Sequence, residues 1–74
     1  MKLNRVRAGS VYEYRPVLLD ICDARTNLKP GDLVRVVNLH GCPRCNTMGH
    51  CHVADPVTGQ FIGLVCCNSL VKPS

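Results

Sequence analysis

The chain has 74 residues, of which 46% are hydrophobic and 19% are charged, and its net charge is +4. This length fits one small domain, which buries only about 60% of the surface that its unfolded chain exposes. The longest unbroken apolar run is about four residues, far short of the roughly 20 residues of a membrane-spanning helix, so we expect no membrane segment. Residues 1–7 are basic without an apolar core after them. We therefore expect a cytoplasmic protein whose cysteines are reduced.

The first half of the chain predicts a basic arm followed by short strands. Residues 1–10 form the predicted arm, and residues 11–14 alternate side chains that favour β-structure. Residues 17–22 form another short, mostly apolar run. A Pro-Gly turn at residues 29–32 leads into residues 33–37, whose β-branched side chains give the strongest strand signal in the sequence.

The second half of the chain continues this pattern around a loop rich in cysteine and histidine at residues 40–52. Strand-like residues 50–54 overlap the end of that loop, and a turn at residues 55–60 precedes an apolar run at 61–67. Residues 71–72 are predicted as a last strand. No stretch shows a helical period, so we predict a mostly β domain, a small barrel of five or six short strands without a substantial α-helix.

Three motifs in this order resemble Src-homology-3 (SH3) domains. "VYEYRP" resembles the "ALYDY" opening of that family, and "NLKPGDLVRVVN" resembles its "LSFKKGD" turn and the strand that follows. "TGQFIGLVCCNSLVKPS" resembles the ending, where a glycine and two apolar residues lead through Pro-Ser-Asn-Tyr into the last strand. The resemblance covers residues 11–74 and implies an SH3-like barrel.

The SH3 family binds proline-rich peptides in a groove of aromatic side chains. The resemblance implies Tyr12, Tyr14 and Asn68 as binding residues, because they match positions of that groove. The groove's proline falls at Cys66 and its tyrosine at Ser69, and the chain has no tryptophan at all. Most of the stacking surface is therefore missing, which disfavours a proline-rich ligand.

Cys42-Pro43-Arg44-Cys45 is the strongest chemical motif in the sequence. Two thiolates at this spacing can bind one zinc ion, which takes four cysteine or histidine ligands in a tetrahedron. The motif supplies half of such a site. The other half must come from the remaining cysteines and histidines, which are Cys22, His40, His50, Cys51, His52, Cys66 and Cys67.

Strand alternation narrows the choice of the other ligands. In an extended strand, Cys51 faces away from His50 and His52. If the strands pair in the SH3-like register, Cys51 and Cys66 lie on the same face of the sheet. If the pairing of the strands slips by one residue, His50 or His52, together with Cys67, becomes the better choice of ligand. We predict a structural zinc on Cys42, Cys45 and Cys51, and the fourth ligand stays open between Cys66, His52 and His50.

Disulfides, a redox pair and buried thiols are the alternatives to zinc binding by the cysteines. Six cysteines could form three disulfides, and Cys42 and Cys45 could be a redox pair, although no helix begins at that motif to lower a thiol pKa. Cys22 and one of Cys66 and Cys67 are expected to be small core residues. His40 is expected at the surface.

No arrangement of catalytic residues is evident, so we predict a non-catalytic binding or accessory module that carries a structural zinc and recognises a protein partner. One alternative is a nucleic-acid-binding module, because the sequence is basic. The second alternative is a thiol redox protein that uses Cys42 and Cys45. The residues expected to contact nucleic acid are Lys2, Arg5, Arg7, Arg35 and Arg44.

Overall fold

The computed structural model describes residues 2–16, 26–41 and 49–73. These residues form five antiparallel strands and two 3-10 helical turns, and no helix of theirs is long and apolar enough to cross a membrane. The prediction of a mostly β domain without a substantial α-helix is thereby confirmed. The predicted run at 17–22 lies outside the described residues. The strands are β1 (Val11–Tyr14), β2 (Leu33–His40), β3 (His50–Ala54), β4 (Phe61–Cys66) and β5 (Leu70–Val71).

The five strands form one sheet in the order β4-β3-β2-β1-β5. Strands β2, β3 and β4 follow one another as antiparallel neighbours, while the short β5 returns to pair with β1. A 3-10 turn at Cys67–Ser69 leads directly into β5. The last strand of the chain is therefore hydrogen-bonded to the first.

Alternation along the strands separates the core from the solvent. In β2, Val34 and Val36 are fully buried while Arg35 between them is exposed. Valine suits this position because its branched side chain packs well on a pleated surface. The fully buried side chains of the core come from every strand and are led by Tyr14, Leu3, Leu70, Val34, Val36, Val53, Val65, Cys51 and Cys67.

The N-terminal segment packs on this core. Leu3 is fully buried and Val6 is nearly so, and a 3-10 turn at Leu3–Arg5 places them on one side, because residues three apart eclipse in such a turn. The Gly9 N–H donates to the Val36 carbonyl at 2.7 Å, and the Val36 N–H donates to the Ser10 carbonyl at 3.0 Å. The segment that the sequence predicts as an arm thus contributes two side chains to the core.

The predicted Pro-Gly turn is present before β2. Gly31 has a positive φ of 98°, which glycine adopts without steric cost, and its N–H donates to the Tyr14 carbonyl at 2.8 Å. The Tyr14 N–H in turn donates to the Asp32 carbonyl at 2.8 Å. These bonds fasten the turn to the end of β1.

The turn between β3 and β4 is organised by Asp55. Its carboxylate accepts the Val57 N–H at 2.7 Å and the Thr58 N–H at 3.0 Å. The backbone hydrogen bond from Thr58, and next that from Val57, hold the pKa of this carboxyl below its ordinary value. The turn fixes where β4 begins and so influences the register of the site described below.

Candidate functional site

The cysteine- and histidine-rich loop is flanked by described strands. Cys42 and Cys45, which form the predicted half-site, lie outside the described residues, as do Cys22 and Arg44. β2 ends at His40, two residues before Cys42, and β3 begins at His50. The predicted ligands on these strands can therefore be placed relative to one another.

Two register shifts decide which side chains share a face. Between β2 and β3 the pairing shifts after Val36, so that Val37 is passed over and His40 lies opposite His50. Between β3 and β4 it shifts at the Val53/Ala54 step, so that Ile62 is passed over. Such β-bulges put one extra residue on one strand and exchange the faces of every later residue.

The bulge at Val37 brings His40 to the face of the sheet that carries His50 and His52. His40 and His50 are direct partners, and His52 lies one diagonal step away on the same side. The His40 Nε2 and His52 Nδ1 atoms are 2.6 Å apart, and the two rings meet edge to face with centroids 4.2 Å apart. One of the two nitrogens must donate and the other accept, so the contact requires at least one neutral imidazole.

Cys66 and Cys51 lie on opposite faces. Cys66 pairs with His50, whereas Cys51 pairs with Val65, and directly opposed residues of antiparallel strands point the same way. The expectation that Cys51 and Cys66 share a face is therefore wrong. Its physical reason is the bulge at Ile62, because an unbroken ladder from Ala54 and Phe61 would have paired Cys51 with Leu64 instead.

Cys51 belongs to the core. It is fully buried and lies in one cluster with Cys67, whose N–H donates to the Gly49 carbonyl at 2.9 Å. Burial, followed by the neighbouring thiols of Cys67 and Cys66, raises the pKa of Cys51 to about 12. Because the thiolate is the form that binds metal or reacts, Cys51 is held in its inert state.

The described residues alone do not make a metal site. Among residues 2–16, 26–41 and 49–73, no group of three or more histidine, cysteine or acidic side chains is arranged to bind an ion. Zinc binding by Cys42, Cys45, Cys51 and Cys66 stays a prediction, and any such site needs ligands from residues 42–48. The described side chains best placed to join them are His40 and His52.

The two tyrosines implied by the SH3 resemblance are buried. Tyr12 and Tyr14 expose 7% and 2% of their surface, and both pack in the core. Asn68 is exposed in the 3-10 turn before β5. Little ring surface is left to Tyr12 and Tyr14 for a peptide ligand, and a binding role for these three residues stays a prediction.

The structure also brings together residues whose contacts the sequence did not predict. His40, expected at the surface and named among the candidate ligands, is exposed and contacts His52. Lys72 lines a cleft with Arg5, Arg7 and Tyr12. Lys72 reaches this cleft because β5 pairs with β1 in the antiparallel direction. The sequence motifs do not predict that pairing.

Comparison of the chain with protein-family models, with curated proteins and with solved structures finds no match.

Proposed function

We propose that the protein is a non-catalytic binding module with an SH3-like fold, stabilised by a structural zinc ion and directed at a protein partner. The SH3-like part is supported by the order of the three motifs along the sheet. "VYEY" forms β1, the Pro-Gly-Asp turn precedes β2, and "CCNSLV" runs from the end of β4 through a 3-10 turn into β5. Each motif thus falls on the kind of element that the resemblance implies.

The observation that carries the zinc proposal is the contact between His40 and His52. His40 is the last residue of β2 and His52 is the third residue of β3, and these two strands flank the Cys42/Cys45 motif. His40 is two residues from Cys42, and two residues span at most about 7 Å, so chain connectivity keeps the first cysteine of the motif near His40.

Donor chemistry and spacing fit a Cys2His2 site. Two imidazole nitrogens on one tetrahedral zinc would lie about 3.3 Å apart, since each Zn–N distance is about 2.0 Å. The His40 and His52 nitrogens, at 2.6 Å, would have to move apart by about 0.7 Å. Both rings are on strands and at the surface, where side-chain rotation allows this. The zinc would staple the loop between β2 and β3, a contribution that a small core needs.

Native mass spectrometry of the freshly purified full chain tests the zinc proposal. We expect one zinc per chain, lost together with several degrees of thermal stability when a chelator is added. The Cys42→Ser/Cys45→Ser variant should lose the metal, and His52→Gln should bind it at least about tenfold more weakly. His50→Gln is the matched control. A bare chain that is indifferent to chelator refutes the proposal, and equal affinities of His52→Gln and His50→Gln refute the imidazole pair as ligands.

The face proposed for the protein partner carries Phe61. This ring is 61% exposed at the start of β4, it lies 5.5 Å from the His52 ring, and it borders a cleft of about 300 Å³ that Leu28 and Ile62 also line. Exposed aromatic rings beside a pocket are typical anchors of protein interfaces. A photo-crosslinking residue at position 61 should give a discrete adduct in the cells that express the protein. The control is position 57, whose valine is also exposed, and an adduct pattern that is equal at both positions contradicts this face.

A further inference from the structure

A basic cleft lies where the two ends of the chain meet. It has a volume of about 550 Å³ and is lined by Asn4, Arg5, Arg7, Tyr12 and Lys72. Clefts that bind small ligands or parts of larger ones commonly have about 300–1,000 Å³. The lining comes from three separate segments, so only the folded chain assembles it.

The walls of the cleft are held by the core. Leu3 and Val6 are buried on either side of Arg5, which fixes the 3-10 turn that presents Arg5. The Tyr12 hydroxyl accepts the Arg7 N–H at 2.9 Å and joins that segment to β1. Glu13 pairs with Val71 in the β1–β5 ladder, so the next antiparallel step brings Lys72 beside Tyr12.

The charges of the cleft have one sign. The charged side chains that line it are Arg5, Arg7 and Lys72, and all three are cations at neutral pH. No carboxylate of the described residues lines the cleft. Glu13 instead forms an ion pair with Arg15. Like charges in one cleft repel one another, and an anion that binds between them removes this cost.

We propose that this cleft binds the phosphodiester backbone of a nucleic acid. Arginine offers phosphate a planar pair of N–H donors, lysine adds a point charge, and the Asn4 amide can donate a further hydrogen bond. The Tyr12 ring is buried, so the described lining offers no aromatic face on which a base could stack. Contact is therefore with the backbone and is independent of sequence.

A lipid surface is a poorer match than a nucleic acid. The cations line a concave cleft, and none of its lining residues is an exposed apolar side chain that could enter a bilayer. A strand of phosphates can thread such a cleft. This activity is independent of the zinc and of the protein partner proposed above, because none of its residues belongs to either site.

The test is fluorescence anisotropy of labelled single- and double-stranded oligonucleotides with the full chain, between 50 and 200 mM salt. With three phosphates neutralised, the slope of log K against log salt on duplex DNA should be about −2.7, so that affinity falls about 40-fold over this range. Each of Arg5→Gln, Arg7→Gln and Lys72→Gln should reduce the slope by about 0.9. Lys29→Gln removes an exposed charge that does not line the cleft and should leave the slope nearly unchanged.

Three results of the binding measurements would overturn the proposal. They are no binding at 50 mM salt, an equal loss of slope in Lys29→Gln and in the cleft variants, or tighter binding of the chain to phosphatidylserine vesicles than to oligonucleotides. Circular dichroism checks that each variant folds. Amide chemical shifts of the unaltered chain provide a second measurement, since an oligonucleotide should move those of Asn4, Arg5, Arg7 and Lys72, and shifts confined to other residues refute the cleft.

Discussion

Replacing Leu3 by alanine tests whether the N-terminal segment is part of the folded domain. Leu3 is fully buried and lies in the core cluster, and removing a buried leucine side chain costs about 2–5 kcal/mol because transfer energy is lost and a cavity remains. At roughly 0.05–0.15 kcal/mol per residue, a chain of this length has a free energy of unfolding of about 4–11 kcal/mol. We therefore expect Leu3→Ala to remove a large share of the stability.

Thermal and urea unfolding, followed by circular dichroism, measure this loss. A loss of about 2–5 kcal/mol lowers the melting temperature by roughly 10–30 °C in a domain of this size. The matched control is Lys2→Ala, since Lys2 is the exposed neighbour and surface changes usually stay within about 0.5 kcal/mol. If both variants unfold like the unaltered chain, the segment is an arm on the surface and the core described above is incorrect.

Two further predictions concern residues that border the same core. A Cβ on Gly49 would lie 2.5 Å from the His40 carbonyl oxygen and 2.6 Å from the Leu3 Cδ2, so Gly49→Ala should destabilise the protein by about 1–3 kcal/mol or more. Urea unfolding should still show a loss when Gly49→Ala is added to Leu3→Ala, because the backbone oxygen remains in place; full rescue by Leu3→Ala contradicts this packing. The second prediction follows from the pKa of Cys51, raised to about 12 by burial and by the Cys67 and Cys66 thiols. The unfolded chain binds fewer protons than the folded chain above pH 9, so Cys51 stabilises the fold fully below that pH and loses its contribution, by up to about 1.4 kcal/mol per pH unit, as pH rises towards 12. The stability difference between the unaltered chain and Cys51→Ala should accordingly shrink between pH 8 and pH 11, and an unchanged difference refutes the raised pKa.

Local patterns in the sequence were sufficient to predict the strands. β1 and β3 occupy the predicted residues, because alternation and β-branched side chains reflect packing on a pleated surface. The role of Leu3 and Val6 was missed, since two apolar residues among basic ones give a weak signal. Only the 3-10 turn, which places residues three apart on one side, makes a buried pair of them.

The sequence predicts which residues of one strand share a face, but it does not predict the register between strands that completes the candidate site. Alternation correctly separates Cys51 from His50 and His52, because it depends on neighbours within one strand. The placement of Cys66 depends on pairing between strands, and the bulge at Ile62 reverses it. A bulge leaves one residue of a strand unpaired and has little effect on the composition of the sequence. The spacing of residues along the sequence therefore could not reveal it.

Alternation along β3 gives the segment from His50 to His52 two separate roles, and the bulge at Val37 brings His40 to the face of the two histidines. Cys51 points into the core, where burial keeps its thiol protonated, while the imidazoles on either side point to the face that His40 shares. Removing the bulge at Val37 would leave these three positions unchanged but would turn Asn38 and His40 to the face of Cys51, burying polar side chains that need hydrogen-bond partners. Because burying an unpaired imidazole is costly, His40 itself favours the bulged register of β2. The register that brings His40 beside His52 is therefore favoured by the same core that holds Cys51.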